Sequence, residues 1–129
     1  MMILVDTSIW IEFLKLNRNV FDLFNHEMEQ QNIVVTECVF GELLQGAKNK
    51  RERKIILEYW NNLPKKDEKN LWLDAGNLSG QKKYFAKGIG LIDTFLIAFA
   101  RRHKVQIWTL DKKLMSVLSV SETYQTNLL

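Results

Sequence analysis

Met2-Ile3-Leu4-Val5-Asp6-Thr7-Ser8-Ile9-Trp10 stands at the head of the chain, and its reading decides the fold. Four consecutive apolar residues without alternation suit a strand buried on both faces, as in parallel sheets. The run stops at Asp6-Thr7-Ser8, three residues that can each cap a helix. An amphipathic stretch, residues 9–16, follows, so the chain opens with a strand passing into a helix.

The same alternation recurs downstream. A second helical pattern covers residues 20–31, with Phe21, Phe24 and Met28 on one face. Ile33-Val34-Val35 is a second short strand, and Thr36 caps a helix expected over residues 37–47. A charged helix is expected over 50–62 and a brief strand over 63–66, whose proline suits an edge. Residues 71–87 read as helix, broken or bent near Gly76 or Gly80, and Gly88-Ile89-Gly90 as a turn. A strongly apolar helix follows over 92–103. Residues 105–110 form the best strand in the chain and end at Asp111, before a helix over 112–118 and a weak last strand over 124–126. Alternating strands and helices predict a three-layer α/β fold, with a mostly parallel central sheet flanked by helices, as a single domain over 1–129. Such sheets bind ligands at the carboxyl ends of their strands, which is where Asp6 and Asp111 fall.

The composition is that of an ordinary globular chain: 129 residues, 47% hydrophobic and 26% charged. One proline and six glycines leave no low-complexity linker, and no internal repeat is present. Cys38 is the only cysteine, so no internal disulfide forms and nothing points to an oxidising compartment. The leading apolar run is too short for a signal peptide or a membrane span, and the expectation is a soluble, cytoplasmic protein with no membrane partner.

Four acids are candidates for chemistry. Asp6 and Asp111 sit at strand-to-helix junctions, where an aspartate is either a helix cap or a ligand. Asp93 falls inside the apolar arc of its helix, with Ile89, Ile97 and Ala100 around it. Buried without a partner, its charge would cost several kcal/mol. It is either a partly wet acid in the first helical turn or the partner of a cation, since no basic residue lies one turn away on that face. Glu42 reads by pattern alone as a solvated helix glutamate.

Four motifs carry a resemblance. Ile3-Leu4-Val5-Asp6-Thr7-Ser8-Ile9-Trp10 resembles the opening strand motif of PIN domains, and Glu42-Leu43-Leu44-Gln45-Gly46-Ala47 the second motif. Leu91-Ile92-Asp93 leading into Leu96-Ile97-Ala98-Phe99-Ala100 resembles the third, and Thr109-Leu110-Asp111 the fourth. They span residues 3–111 in the family's order. The resemblance is to PIN-domain ribonucleases and, within them, to the VapC-type toxins of bacterial type II toxin–antitoxin systems. It implies that Asp6, Glu42, Asp93 and Asp111 bind the metal and serve catalysis, with Thr7, Ser8 and Thr109 as hydroxyls orienting those carboxylates. It also implies an endoribonuclease acting on RNA (transfer or ribosomal), a cognate antitoxin and a homodimer. The match departs where many members carry a further acid after the fourth motif; here stand Lys112 and Lys113, so whether a second metal is held without substrate phosphate stays open.

Physical chemistry agrees with that implication. Converging carboxylates resist ionising without a cation, and oxygen ligands without a His or Cys cluster suit Mg²⁺ or Mn²⁺ rather than zinc. A metal so held can activate water and stabilise charge on a scissile phosphate. His26 and His103 lie in unrelated segments. No Ser-His-Asp or Cys-His arrangement and no glycine-rich phosphate loop is present.

The net charge of +3 is modest, but setting aside four of the fifteen acids leaves eleven against eighteen bases, a balance of +7 that suits a polyanion. Lys48, Lys50, Arg51, Arg53 and Lys54, with Lys82, Lys83, Lys87, Arg101, Arg102, Lys112 and Lys113, are either solvated faces or phosphate contacts. Trp10, Trp60, Trp72 and Trp108 read as core or interface rather than base-stacking platforms. Apolar residues such as Ile55-Ile56-Leu57 and Tyr59-Trp60 either complete the core or meet a partner. Two other classes remain open: a non-catalytic PIN-like module binding RNA or protein, and a Mg²⁺-binding receiver-type signalling domain, which usually pairs two acids after its first strand.

Overall fold

The structure, a computed structural model, describes residues 1–126; residues 127–129 of the expected domain lie outside the described residues. The strands are β1 (Ile3–Val5), β2 (Ile33–Val34) and β3 (Gln106–Trp108). The helices are α1 (Thr7–Leu14), α2 (Arg18–Glu29), α3 (Glu37–Gln45), α4 (Lys50–Asn62), α5 (Leu71–Lys82), α6 (Leu91–His103) and α7 (Lys112–Ser116). The sheet has the order β2-β1-β3 with both pairings parallel, and Leu4 faces Val34 on one side and Ile107 on the other. Every residue of β1 and β2 is buried, as are Ile107 and Trp108. A strand buried on alternate sides needs cover on both faces, which makes this a three-layer α/β fold.

The strands expected over 63–66 and 124–126 are each reduced to a single parallel bridge, Val35 with Lys65 and Ile107 with Thr123. Pro64 has no N–H to continue a ladder and gives only its carbonyl, which accepts from the Val35 N–H at 3.0 Å. The Tyr124 N–H donates to the Ile107 carbonyl at 2.9 Å, and its hydroxyl donates to the Glu27 carboxylate at 2.5 Å.

Helix α1 is the hub of one layer. Trp10 packs edge-on against Phe13, Phe24 and Phe40 and lies tilted against Tyr59, drawing α1 to α4 together. On α4, Ile56 is buried and Trp60 lies against Phe40, so most of that helix's apolar surplus completes the core. Helices α5 and α6 pack on each other through Leu71, Ala75, Phe95 and Phe99, with Trp72 against Phe95. The expected break near Gly76 or Gly80 does not occur: both glycines lie on the exposed face, and α5 ends instead at Lys83, in the left-handed region at φ 55°. Strand β3 stops two residues early, at Trp108, and the Thr109 hydroxyl just beyond it donates to Asp6.

Candidate metal centre

All three strands run in one direction, so their carboxyl ends share one rim. Asp6 leaves β1 there. Its backbone N–H donates to the Trp108 carbonyl at 3.0 Å, tying it to the end of β3. Its side chain caps α1: Oδ1 accepts from the Ile9 N–H at 3.2 Å and the Ser8 hydroxyl at 2.6 Å. Oδ2 accepts from the Thr109 hydroxyl. The residue is 5% exposed. Burial raises its pKa, and the bonds from Ser8, Thr109 and the Ile9 and Ser8 amides pull in the opposite direction.

Ser8 and Thr109 also look the other way. The Leu110 N–H donates to Ser8 Oγ at 3.1 Å, and the Asp111 N–H donates to Thr109 Oγ1 at 2.9 Å. Two hydroxyls therefore stitch the β1–α1 junction to the loop after β3. Asp111 caps α7, its Oδ1 accepting from the Lys113 and Leu114 amides at 2.8 and 3.3 Å. The cap reading of Asp6 and Asp111 and the site reading are compatible, because a cap fixes the carboxylate at the rim.

Glu42 reaches the rim from α3, whose start is capped by Thr36 directly after β2. The Thr7 hydroxyl donates to Glu42 Oε1 at 2.6 Å, across 35 residues of sequence. Asp93 lies in the first turn of α6, half-buried, and has no hydrogen-bond or ion-pair partner among the described residues. Burial pushes its carboxyl up to about 6, and the charges of Asp111, Asp6 and Glu42 push the same way.

Four acids from four segments thus share one electrostatic neighbourhood. Among the described residues, no three His, Cys, Asp or Glu side chains already stand in the close grouping that grips a metal ion. Like charges keep them apart, and the hydroxyls of Thr7, Ser8 and Thr109 occupy several of their oxygens. The donor set is oxygen alone, the chemistry of Mg²⁺ or Mn²⁺. Cys38 is no rival nucleophile, since burial pushes its thiol up to about 11.

Sequence reasoning missed how the neighbouring bases are used. Arg101 pairs with Glu122 at 2.8 Å and Arg102 with Asp74 at 2.6 Å, so both serve the fold. It also missed that Lys113 folds onto Gly88; the residue types carry no signal for a contact across 25 positions. Among the described residues, no helix is long and apolar enough to cross a membrane.

The PIN-domain family model matches residues 3–118. The chain is 29% identical over 128 residues to Ribonuclease VapC32 of Mycobacterium tuberculosis strain CDC 1551 / Oshkosh, covering 93% of each. The same values hold for Ribonuclease VapC32 of strain ATCC 25618 / H37Rv.

Proposed function

This chain belongs to the PIN-domain family, and on that premise we propose that it is a metal-dependent endoribonuclease, the toxin of a VapBC-type pair. Its likeness to a protein named as a ribonuclease supports the RNA-cleaving part of this reading. The observation that carries the site is Asp93, a half-buried carboxylate with three other acids acting on it and no basic side chain paired with it among the described residues. A receiver-type domain is set aside by the family.

Asp6, Glu42, Asp93 and Asp111 would hold Mg²⁺ or Mn²⁺. When bound, such an ion supplies positive charge to the scissile phosphate and eases deprotonation of the attacking water. The chain's own part is placement. Thr109 and Ser8 fix the Asp6 carboxylate and keep the Asp111 loop against it. Thr7 fixes Glu42 relative to α1. Asp93, free of hydrogen bonds among the described residues, is the acid with most freedom to turn toward a cation.

The whole chain is read as one such domain acting in the cytoplasm. A cognate antitoxin would neutralise it by presenting a basic side chain to the four acids in place of the ion. A homodimer is also proposed. Its support lies away from α4, in exposed apolar residues of the α5–α6 region: Leu73 at 69%, Phe85 at 87% and Leu91 at 49%.

The rival is a non-catalytic PIN-like module, and the absence of a ready-made ligand grouping among the described residues is the observation on its side. Purified chain incubated with bulk transfer and ribosomal RNA separates the two. Cleavage that needs Mg²⁺ or Mn²⁺ and is lost in Asp93→Asn is expected. RNA left intact by the wild type with either metal overturns the enzyme reading.

A further inference from the structure

Lys113 lies in the first turn of α7, two residues after Asp111, and it makes no ion pair among the described residues. Its backbone N–H is held by Asp111 Oδ1 at 2.8 Å, which fixes where its side chain departs. The side chain folds back across the turn that leads into α6. A methyl group placed on Gly88 would lie 3.0 Å from the Lys113 ammonium and 3.3 Å from its Cδ. Gly88 also has φ 79°, a conformation L side chains rarely adopt, so this seat for the lysine stem depends on glycine twice over.

The turn continues through buried Ile89 to Gly90, the cap of α6, and Asp93 lies in the first turn beyond. The ammonium is therefore packed against the segment carrying Asp93 while its own backbone is tied to Asp111. Lysine is a compact charge on a flexible stem, and laying that stem over Gly88 confines it. Other bases near α6 are committed elsewhere: Arg101 to Glu122, Arg102 to Asp74. Lys87 lies 5.8 Å from the centre of the Tyr84 ring.

A strand of RNA brought to four carboxylates meets repulsion, which a cation held on the turn leading into α6 offsets. Resting on the nuclease reading above, we propose that Lys113, seated on Gly88, holds a phosphate of the RNA strand next to the acids and so positions the strand for cleavage. The contact carries no base preference, because it is made to the backbone.

The test is fluorescence anisotropy of an end-labelled, mixed-sequence single-stranded oligoribonucleotide in EDTA, titrated with salt, for wild type, Lys113→Gln and Lys113→Arg. Lys113→Gln should weaken binding several-fold and lower the slope of log affinity against log salt by about 0.7, the loss of one phosphate contact on a single strand. Lys113→Arg should keep the wild-type slope. In steady-state cleavage with Mg²⁺, Lys113→Gln should raise KM more than it lowers kcat. A Lys113→Gln protein equal to wild type in affinity and slope overturns the proposal and leaves the nuclease reading standing. A wild-type chain that neither binds nor cuts RNA overturns both.

Discussion

Replacing Asp93 with asparagine should stabilise the metal-free protein, although it removes a residue the site needs. The carboxyl is pushed from its ordinary value of 3.8 to about 6, first by burial and then by Asp111, Asp6 and Glu42. Converted directly, that rise corresponds to about 3 kcal/mol against the ionised form. Asp93 is only half-buried, so water screens part of it, and about 1–1.5 kcal/mol is the expected size. In a domain of this length that is a rise in Tm of roughly 3–8 °C.

The sign follows from linkage. The folded-state pKa lies above the unfolded one, so stability is whole below 3.8, falls as pH rises through about 6, and is fully diminished near neutrality. Asparagine is neutral throughout and escapes the loss. Thermal unfolding by circular dichroism in EDTA should therefore show Asp93→Asn melting above wild type at neutral pH, with the gap narrowing as pH is lowered toward 4. Saturating Mg²⁺ should raise the wild type and leave the variant nearly unmoved, because an ion bound only by the native state adds stability. A variant that melts at or below wild type in EDTA at neutral pH, or a gap indifferent to pH, would refute the reasoning.

Thr109→Val keeps the shape but removes both the donor to Asp6 and the acceptor of the Asp111 N–H; urea unfolding should show a loss of about 1–3 kcal/mol, and an unchanged midpoint would count against the hydroxyl stitch. Tyr124→Phe removes the hydroxyl that donates to Glu27, for an expected loss of about 1 kcal/mol by the same method; no loss would mean that the Tyr124 backbone bond to Ile107 and the Trp108–Tyr124 ring contact hold this segment without the hydroxyl. Cleavage abolished by EDTA should return with Mg²⁺ or Mn²⁺ but not Zn²⁺, as an all-oxygen donor set requires; full activity after exhaustive chelation would contradict the site.

Much of this architecture could be read from residue order. The unbroken run Ile3-Leu4-Val5 had to be buried on both faces, and its neighbours Ile33, Val34 and Ile107 are buried with it. Helix α4 takes the bounds expected of it, residues 50–62, with Asn49 capping one end and Leu63-Pro64 following the other. The end of α5 was not: Gly76 and Gly80 are tolerated on an exposed face, whereas Lys83, a residue with no turn signature, takes the left-handed conformation that stops the helix. At the site, Asp93 announced itself as an acid in an apolar arc. Glu42 did not, because what distinguishes it is the Thr7 hydroxyl supplied from α1. The capping roles of Asp6 and Asp111 were local and readable, but the Ser8 and Thr109 links between them span more than 100 residues. Pattern within one segment shows which face is buried; it does not show which side chains two segments bring together.

The central claim is that Asp6, Glu42, Asp93 and Asp111 form one cation site. Electron paramagnetic resonance of Mn²⁺ titrated into the purified, EDTA-treated and desalted chain tests it most directly. Wild type should take up Mn²⁺ saturably and release it to Mg²⁺, and Asp93→Asn, still folded by circular dichroism, should lose that uptake. Equal Mn²⁺ binding by wild type and Asp93→Asn would contradict the account.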